Sequence, residues 1–515
     1  MLTSSAPTND ALFTLSYKSD VTGVCFVRDR TTSLHAAFAS RVDTSSSSDE
    51  NDVDDDDNNS ATDEDDDDLT LQFRCSNLLL GPHHNRRDVI GLQGTVVRNC
   101  HQHATNLSAA SYGSLAGGIL ASCHVDGICR LWDLATRRCY MENLGPHDTR
   151  QGPGLAIRRV NSGGGNDDND NTAINQFLYQ TRDPLGTVSL HDLHRPCTPL
   201  LQIHTYSTTF CAMSPCHLSM KSLSNNGCEE KIIMSGARNL VALPTEEQSL
   251  AIVRDLRCDP QGSPAWQISL GDEYISSIYG TRRKYGMLSS LALCLQETTH
   301  RIVLGCGMEN GSTLFYDLGG MGQAVESSPG ESRVVSDAED SRFMCSTALG
   351  KGTDPVLCLD VVSSKTSASV VAVAGCAGDA DDLSELPEHD QGTVSIIKVK
   401  LADETISNDS CKPSTMKATV RSKTRTCSIE SGGKVGVSIC RFRPDGRVFA
   451  VGGWDYRLRI FGRTSSKPLA ILRGHEKSVT AMDWSSNSAV SGLLATGAGD
   501  GKICLWRVFP HSLRT

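Results

Sequence analysis

An all-β fold, a seven-bladed β-propeller closed by its own chain ends, is predicted by three features of this 515-residue sequence. A strand, turn, strand unit recurs along the chain seven times. Short apolar runs that read as further strands precede most of the units. One extra run near Leu12, LFTLSY, has no unit of its own and is free to complete the last one.

The last unit is the template: ILRGHEKSVTAMDWSSNSAVSGLLATGAGDGKICLWRVF. It carries a GH pair, an alternating strand, a second strand ending in an Asp/Gly turn, and a third strand ending in Trp506. Asp500 and Gly501 are residue types that tolerate the positive φ of a tight hairpin. The unit resembles a WD repeat. That resemblance implies a hydrogen-bonded chain through His475, Thr496, Asp500 and Trp506, from the loop before the first strand to the third strand.

Six degenerate copies precede it: LASCHVDGICRLWDL (Leu120 to Leu134), YQTRDPLGTVSLHDL (Tyr179 to Leu193), Met234 to Leu256, VLGCGMENGSTLFYDL (Val303 to Leu318), Val371 to Val399, and VFAVGGWDYRLRIF (Val448 to Phe461). Trp132, His191, Arg254, Tyr316, Lys398 and Phe461 take the place of Trp506, so the third and fifth copies are the weakest matches. Inner strands are expected at DVTGVCFV, TTFCAMSP, MLSSLALCL, PVLCLDVV and GVSICRFRP, mostly with the period-two alternation of a half-buried sheet. The run near Leu12 is expected to pair with the last blade and remove a sheet edge.

Spacing between the Trp506-like positions exceeds that of ordinary repeats, which places long polar insertions within a single propeller spanning 12–510. The expected insertions are an acidic tract at 43–68, SGGGNDDNDN at 162–171, and polar loops at 319–352 and 401–433, all of disordered composition. Hydrophobic residues make up 38% of the chain and charged residues 21%, a polar balance that fits an ordered core with such excursions.

The formal charge of −11 comes from the acidic tract. Asp43 to Asp68 holds 14 acidic residues and no basic one; without them 46 acidic residues face 49 basic ones, a balance of +3. A nearly neutral body lacks the basic field of a nucleic-acid binder. The N-terminus has no signal-like apolar run and no segment has the length of a membrane span, so an intracellular, soluble protein is expected. The 20 cysteines lie scattered along strand-like runs and are read as reduced core residues.

Catalytic and ligand motifs fail on spacing. TGAGDGKI around Lys502 lacks the first Gly and the hydroxyl of a phosphate loop, and GCGMENG at Gly305 opens a strand rather than a helix. Cys100, His101 and His103, or His83 and His84, have no partner at metal-ligand spacing. GSLAG at Gly113 is not a nucleophile elbow. No enzyme activity, cofactor or metal is expected.

A propeller exposes its second-to-third strand turns on one face, the expected docking surface, here carrying Asp126, Arg182, Asp183, Glu309, Asn310, Trp454 and Asp455. Trp454 is the expected anchor, since an aromatic in a turn suits an interface hot spot, or else it packs on a neighbouring blade. Ser46, Ser47, Ser60 and Thr62 each precede an acidic residue by three, the spacing of an acidophilic kinase site. The basic run Lys417 to Thr426 reads as a linker or a weak nuclear-import signal.

CHVDGICRLWDLATRR, TRDPLGTVSLHDL, GGWDYRLRIFGRTSSKPLAIL and LLATGAGDGKICLWRVFP resemble the ASTRA-associated protein 1 family, whose animal member is called guanine nucleotide-binding protein β-subunit-like protein 1. The resemblance implies a nuclear and cytoplasmic WD-repeat scaffold, monomeric within a hetero-complex. Its implied partners are the co-chaperone complex that matures phosphatidylinositol-3-kinase-related kinases and, in fungi, a chromatin-associated assembly. No nucleic acid, membrane or G-protein γ subunit is expected as partner, because fewer than a dozen residues precede the first strand-like run and leave no helix for γ. The alternative is a substrate receptor of a cullin-type ubiquitin ligase, but Leu134 and Ala135 follow Trp132 and Asp133 where that interface uses an Arg.

Overall fold

Runs such as SVVAVAGC (Ser369–Cys376) and LLATGA (Leu493–Ala498) are apolar on both sides of the pleat, and every residue in them is buried. Strands of that kind need a sheet packed on each face. A ring of radially stacked sheets meets the requirement without a second layer type.

The computed structural model describes residues 11, 13–28, 118–142, 152–160, 176–193, 196, 198–218, 236–270, 274–275, 282–283, 285–320, 333–335, 343–348, 354–364, 367–377, 393–401, 423–428, 436–464, 468–485 and 492–508. Among them, seven blade sheets follow one another along the chain, antiparallel apart from one strand added to blade 3, and a separate two-stranded sheet pairs Tyr274–Ile275 with Arg282–Arg283. Blade 1 runs from inner to outer strand as Val21–Arg28, Ile119–His124, Cys129–Asp133 and Arg138–Glu142, and blade 2 as Gly154–Arg159, Gln176–Thr181, Thr187–Asp192 and Leu201–His204. Blade 3 has a short inner strand, Ser214–Pro215, then Leu240–Pro244, Leu250–Asp255 and Trp266–Ser269. Blade 4 comprises Leu288–Gln296, Arg301–Met308, Ser312–Gly320 and Phe343–Ala348; blade 5, Val356–Ser363, Ser369–Cys376, Thr393–Lys400 and Lys423–Ser428. Blade 6 comprises Val437–Phe442, Val448–Gly453, Leu458–Gly462 and Pro468–Leu472. Blade 7 takes Val479–Trp484, Leu493–Ala498 and Lys502–Arg507 from the end of the chain and Phe13–Ser16 from its beginning, paired Phe13 with Leu505 through Ser16 with Lys502.

The buried apolar residues fall into seven clusters, one between each pair of neighbouring blades. The cluster between blades 7 and 1 holds Leu15, Val24, Phe26, Leu120, Trp132, Ile503 and Leu505, so the ring is closed by apolar packing as well as by strand pairing. Glycines near the ends of second strands let the next blade approach. Ideal Cβ atoms on Gly307, Gly375, Gly452 and Gly497 would collide with Val356, Val437, Val479 and Val21, each the first residue of the following inner strand. That places Gly305 and Gly307 of GCGMENG within a buried second strand.

Two polar loops expected from composition contain strands. Within 319–352, Arg333–Val335 adds to blade 3 in parallel, beside Trp266–Ser269, and Phe343–Ala348 is the outer strand of blade 4. Within 401–433, Lys423–Ser428 is the outer strand of blade 5 and takes up the end of the basic run Lys417 to Thr426. An outermost strand needs backbone pairing on one edge only, so hydropathy is a poor guide to it. The reverse holds at TTFCAMSP, where strand pairing is confined to Ser214 and Pro215. Upstream, the hydroxyls of Thr205, Ser207 and Thr209 accept from the amides of Ser207, Thr209 and Cys211, local bonds that replace a ladder.

Candidate protein-docking face

Connections from the second to the third strand, and from each outer strand to the next inner one, emerge at the same end of the propeller because successive strands are antiparallel. The turns at this end are built by their own Asp and Asn side chains. Asp126 accepts from the amide of Ile128 at 3.0 Å, Asp183 from Thr187 at 2.9 Å, Asn310 from Ser312 at 3.0 Å, Asp455 from Arg457 at 3.3 Å and Asp500 from Lys502 at 2.9 Å. Glu309 accepts from the amide of Met287 at 3.0 Å. These carboxylates have a second internal partner in four blades, which in blade 2 is the Thr187 hydroxyl, donating to Asp183 at 2.9 Å. In blades 1 and 6 it is an arginine four residues on: Arg130 on Asp126 and Arg459 on Asp455, both at 2.7 Å and both arginines buried. In blade 7 it is His475, 3.3 Å from Asp500. Asp126, Asp183, Asn310 and Asp455, grouped from sequence as docking residues, are thus engaged in their own turns.

The chain implied for blade 7 is present. Trp506 Nε1 donates to Thr496 Oγ1 at 2.8 Å, Thr496 Oγ1 meets His475 Nε2 at 2.8 Å, and His475 Nδ1 faces Asp500. Blade 1 reaches the same end differently. Trp132 Nε1 donates to Ser122 Oγ at 2.8 Å, and the imidazole on Ser122, at 2.9 Å, belongs to His124 two residues along the same strand, with Nδ1 on the carbonyl of Ser19. Blade 2 pairs Ser189 with His191 at 2.9 Å. These hydroxyl and imidazole pairs have the spacing of a nucleophile and its base. They are buried beneath turns and saturated by Trp, Asp or backbone partners, which makes them struts.

Protonation separates the struts. Burial works against charge on His475, but the hydrogen bond that its Nδ1 donates to the Asp500 carboxylate outweighs it and raises the imidazole to about 9. Burial lowers His124 to about 4, with Arg130 adding to the effect, and lowers His191 to about 4. The folded state favours charged His475, so its contribution is complete below the ordinary value near 6.5 and is lost as pH rises through about 9. It favours neutral His124 and His191, whose contribution is complete above about 6.5 and is lost as pH falls toward 4. His475→Gln is expected to remove the alkaline decline in unfolding free energy between pH 7 and 9, on the order of 2 kcal/mol by denaturant titration, and to leave the acid limb in place. An unchanged alkaline limb refutes the assignment.

Beside exposed charged groups such as Asp20, Glu476 and Lys477, this face carries exposed apolar side chains. Val125, Leu185, Tyr206, Phe210 and Met287 are exposed on the turns and links of blades 1 to 4. Phe210 is 72% exposed and Tyr206 49%. The Arg182 guanidinium lies 3.7 Å over the Phe210 ring, and its Nε donates to the carbonyl of Thr208 at 3.2 Å. Tyr206 sits at φ 55°, a left-handed conformation that costs a non-glycine residue about 1 kcal/mol or more. It is held there by its own backbone N–H, which donates to the carbonyl of Leu185 at 2.8 Å and joins the blade 2 turn to the link leading into blade 3.

Of the residues expected at the docking face, Arg182 is therefore central. Trp454 is half-buried and packs on Gly436 at the entrance of its own blade. Phe210 was missed from sequence because TTFCAMSP, residues 208–215, reads as an inner strand rather than as an exposed link. Ser46, Ser47, Ser60 and Thr62, and the cysteine and histidine pairs near residues 83 and 100, lie outside the described residues.

The family described as WD domain, G-beta repeat matches residues 424–461 and 466–507, which cover blades 6 and 7. The guanine nucleotide-binding protein subunit beta-like protein 1 of Mus musculus is 37% identical over 75 residues, 15% of this chain and 22% of that protein. ASTRA-associated protein 1 of Pyricularia oryzae is 43% identical over 61 residues, 12% of this chain and 13% of its own length. ASTRA-associated protein 1 of Schizosaccharomyces pombe is 23% identical over 239 residues, 46% of this chain and 48% of its own. The matches thus span from 13% to 48% of these relatives. The chain thus carries matches to the WD repeat in blades 6 and 7 and resembles the ASTRA-associated protein 1 group over part of its length.

Proposed function

We propose that this WD-repeat propeller is a non-catalytic adaptor that grips a protein partner with the face formed by blades 2 and 3, and that its partners belong to an ASTRA-type assembly. The observation that carries the reading is the unit of Arg182, Tyr206 and Phe210. A large aromatic is held at the surface by a guanidinium, beside a second aromatic whose strained backbone is fixed by the adjoining turn. Exposed, pre-organised Phe, Tyr and Arg are the residue types that anchor interfaces. Partial similarity to the ASTRA-associated proteins supports the choice of assembly. The finer proposals are contact with the co-chaperones that mature phosphatidylinositol-3-kinase-related kinases, and residence in both nucleus and cytoplasm.

Both aromatic side chains project away from the core, so Phe210→Ser and Tyr206→Ser are expected to melt as the wild-type protein does. Affinity purification with either variant is expected to recover the partner at least tenfold less well, the size of a hot-spot loss of about 2 kcal/mol. Recovery of kinase-maturation co-chaperones by wild type and its loss in the variants is the expected pattern. Recovery of cullin components instead transfers the function to ubiquitin ligation, and full recovery by both variants removes the proposed face. Fractionation that finds the protein in only one compartment overturns the localisation.

A further inference from the structure

We propose that the end of the central channel opposite the docking face is a binding site for a phosphate group. Arg158 and Arg159 of blade 2, His217 beyond the inner strand of blade 3, Asp360 of blade 5, Arg441 of blade 6 and Asp483 of blade 7 line a cavity of about 110 Å³. Each stands in the second half of its inner strand or just past it. Inner strands start at the docking face, so the cavity opens at the far end, away from Phe210.

Three guanidinium groups face two carboxylates there, and both carboxylates are already engaged. Asp360 accepts from Arg441 Nη1 at 3.2 Å and from the amide of Phe442 at 2.7 Å. Asp483 accepts from the amide of Phe26 at 2.8 Å. Arg158 and Arg159 form no ion pair among the described residues. Arg158 Nη1 donates to the carbonyl of the preceding Ile157 at 3.0 Å. Its Nε, like Nδ1 of His217, is buried and meets no hydrogen-bond partner among the described residues. Desolvation, reinforced by Arg441, pulls the Arg158 guanidinium down to about 10, so it stays cationic at neutral pH in a setting that disfavours its charge.

A bound dianion relieves both deficits, by supplying acceptors to the unused donors and counter-charge to the guanidiniums. A carboxylate offers two coplanar oxygens. The donors here come from two separate inner strands, those of blades 2 and 6, and from the segment beyond blade 3, and they suit the three oxygens of a tetrahedral phosphate better. Phe442 and Trp484 complete the wall and give the remainder of a phosphate monoester an apolar surface. The group arrives on a free monoester or on a phosphorylated side chain of a peptide, and the same donors take either.

Isothermal titration calorimetry on the full chain tests this with inorganic phosphate, phosphoserine and a phosphoserine peptide, all at constant ionic strength. Saturable, mutually competitive binding is expected, weakened roughly tenfold or more by Arg159→Gln and less by Arg159→Lys, which keeps the charge and loses the fork. Tighter binding of the peptide than of phosphoserine assigns the group to a phosphorylated partner, and equal binding assigns it to a free monoester. Lack of saturable binding to the wild-type protein, or undiminished binding to a folded Arg159 variant, overturns the proposal. Phe210→Ser is expected to bind phosphate normally, so failure of the docking face and failure of this site are told apart.

Discussion

Deleting residues 1–18 is expected to lower the unfolding free energy by on the order of 4 kcal/mol and to make the protein aggregate. The deletion takes the outer strand from blade 7, unpairing Ile503, Cys504 and Leu505 along one edge, and removes the buried Leu15 from the contact between blades 7 and 1. It also removes Tyr17, whose ring lies 3.5 Å under the Arg130 guanidinium and whose amide donates to the carbonyl of Gly501 at 2.8 Å. Ladder hydrogen bonds contribute about 1 kcal/mol each, a buried leucine about 2 and a cation–π contact about 1, and ordering the segment offsets part of the sum. The uncovered edge is a template for intermolecular pairing. Calorimetry and light scattering against temperature measure both effects. A truncated protein with the wild-type midpoint would show that the ring holds without its closing strand.

Trp506→Ala is expected to cost about 3–5 kcal/mol, the range for deleting a fully buried large aromatic. The indole packs between blades 6 and 7 against Leu494 and Cys504, and its Nε1 is the donor that closes the chain through Thr496 to His475 and Asp500. Gly474 lies so close to the ring that a Cβ there would come within 2.8 Å of it, so the GH pair serves two purposes: the glycine admits the indole and the histidine extends its hydrogen bond. Trp506→Phe keeps most of the volume and loses the N–H, and is expected to cost about 1–2 kcal/mol. Phe461 already fills the equivalent place in blade 6, stacked on Phe449 at 5.3 Å, where no donor is needed. Denaturant titration of both variants separates the contributions; equal losses would mean that the hydrogen bond, and not the packing, decides.

The repeat was legible because its signals are local. Asp, Asn and Gly at the hairpin turns act within five residues, and the register they impose is common to every blade. Leu494 pairs with Trp506 in blade 7, and Val241 with Arg254 and Val371 with Lys398 stand at the same positions in blades 3 and 5. Those two blades were hard to recognise because the slot is open in them. Arg254 is half-buried, with Nη1 on the carbonyl of Gly262 at 2.6 Å, and Lys398 is exposed, so neither needs an aromatic. Outer strands such as Phe343–Ala348 and Lys423–Ser428 escaped notice for a related reason, since their place in the sheet depends on an available edge rather than on an apolar pattern.

The docking face was legible in position and not in composition. Asp126, Asp183 and Asp455 are turn residues by sequence and by structure, but whether a carboxylate in a turn faces solvent depends on what lies beneath it. Arg130 and Arg459 reach up from the third strand in blades 1 and 6, and Thr187 does so in blade 2, where its hydroxyl donates to Asp183 at 2.9 Å. An arginine four residues after the aspartate is a signal that the sequence carries, and it marks the aspartate as internally paired.

By itself the sequence determined the number of repeats, the strand order within each hairpin and the identity of the closing strand, because periodicity and turn chemistry operate over a few residues. Only the tertiary structure decided that Leu15 meets Ile503, that Phe210 is left outside under Arg182, and that Arg158, Arg441 and Asp483 converge on one cavity. Those outcomes follow from ring closure, which sets inner strands from different blades side by side across hundreds of residues and leaves desolvation and charge balance to be settled among groups that no local pattern connects.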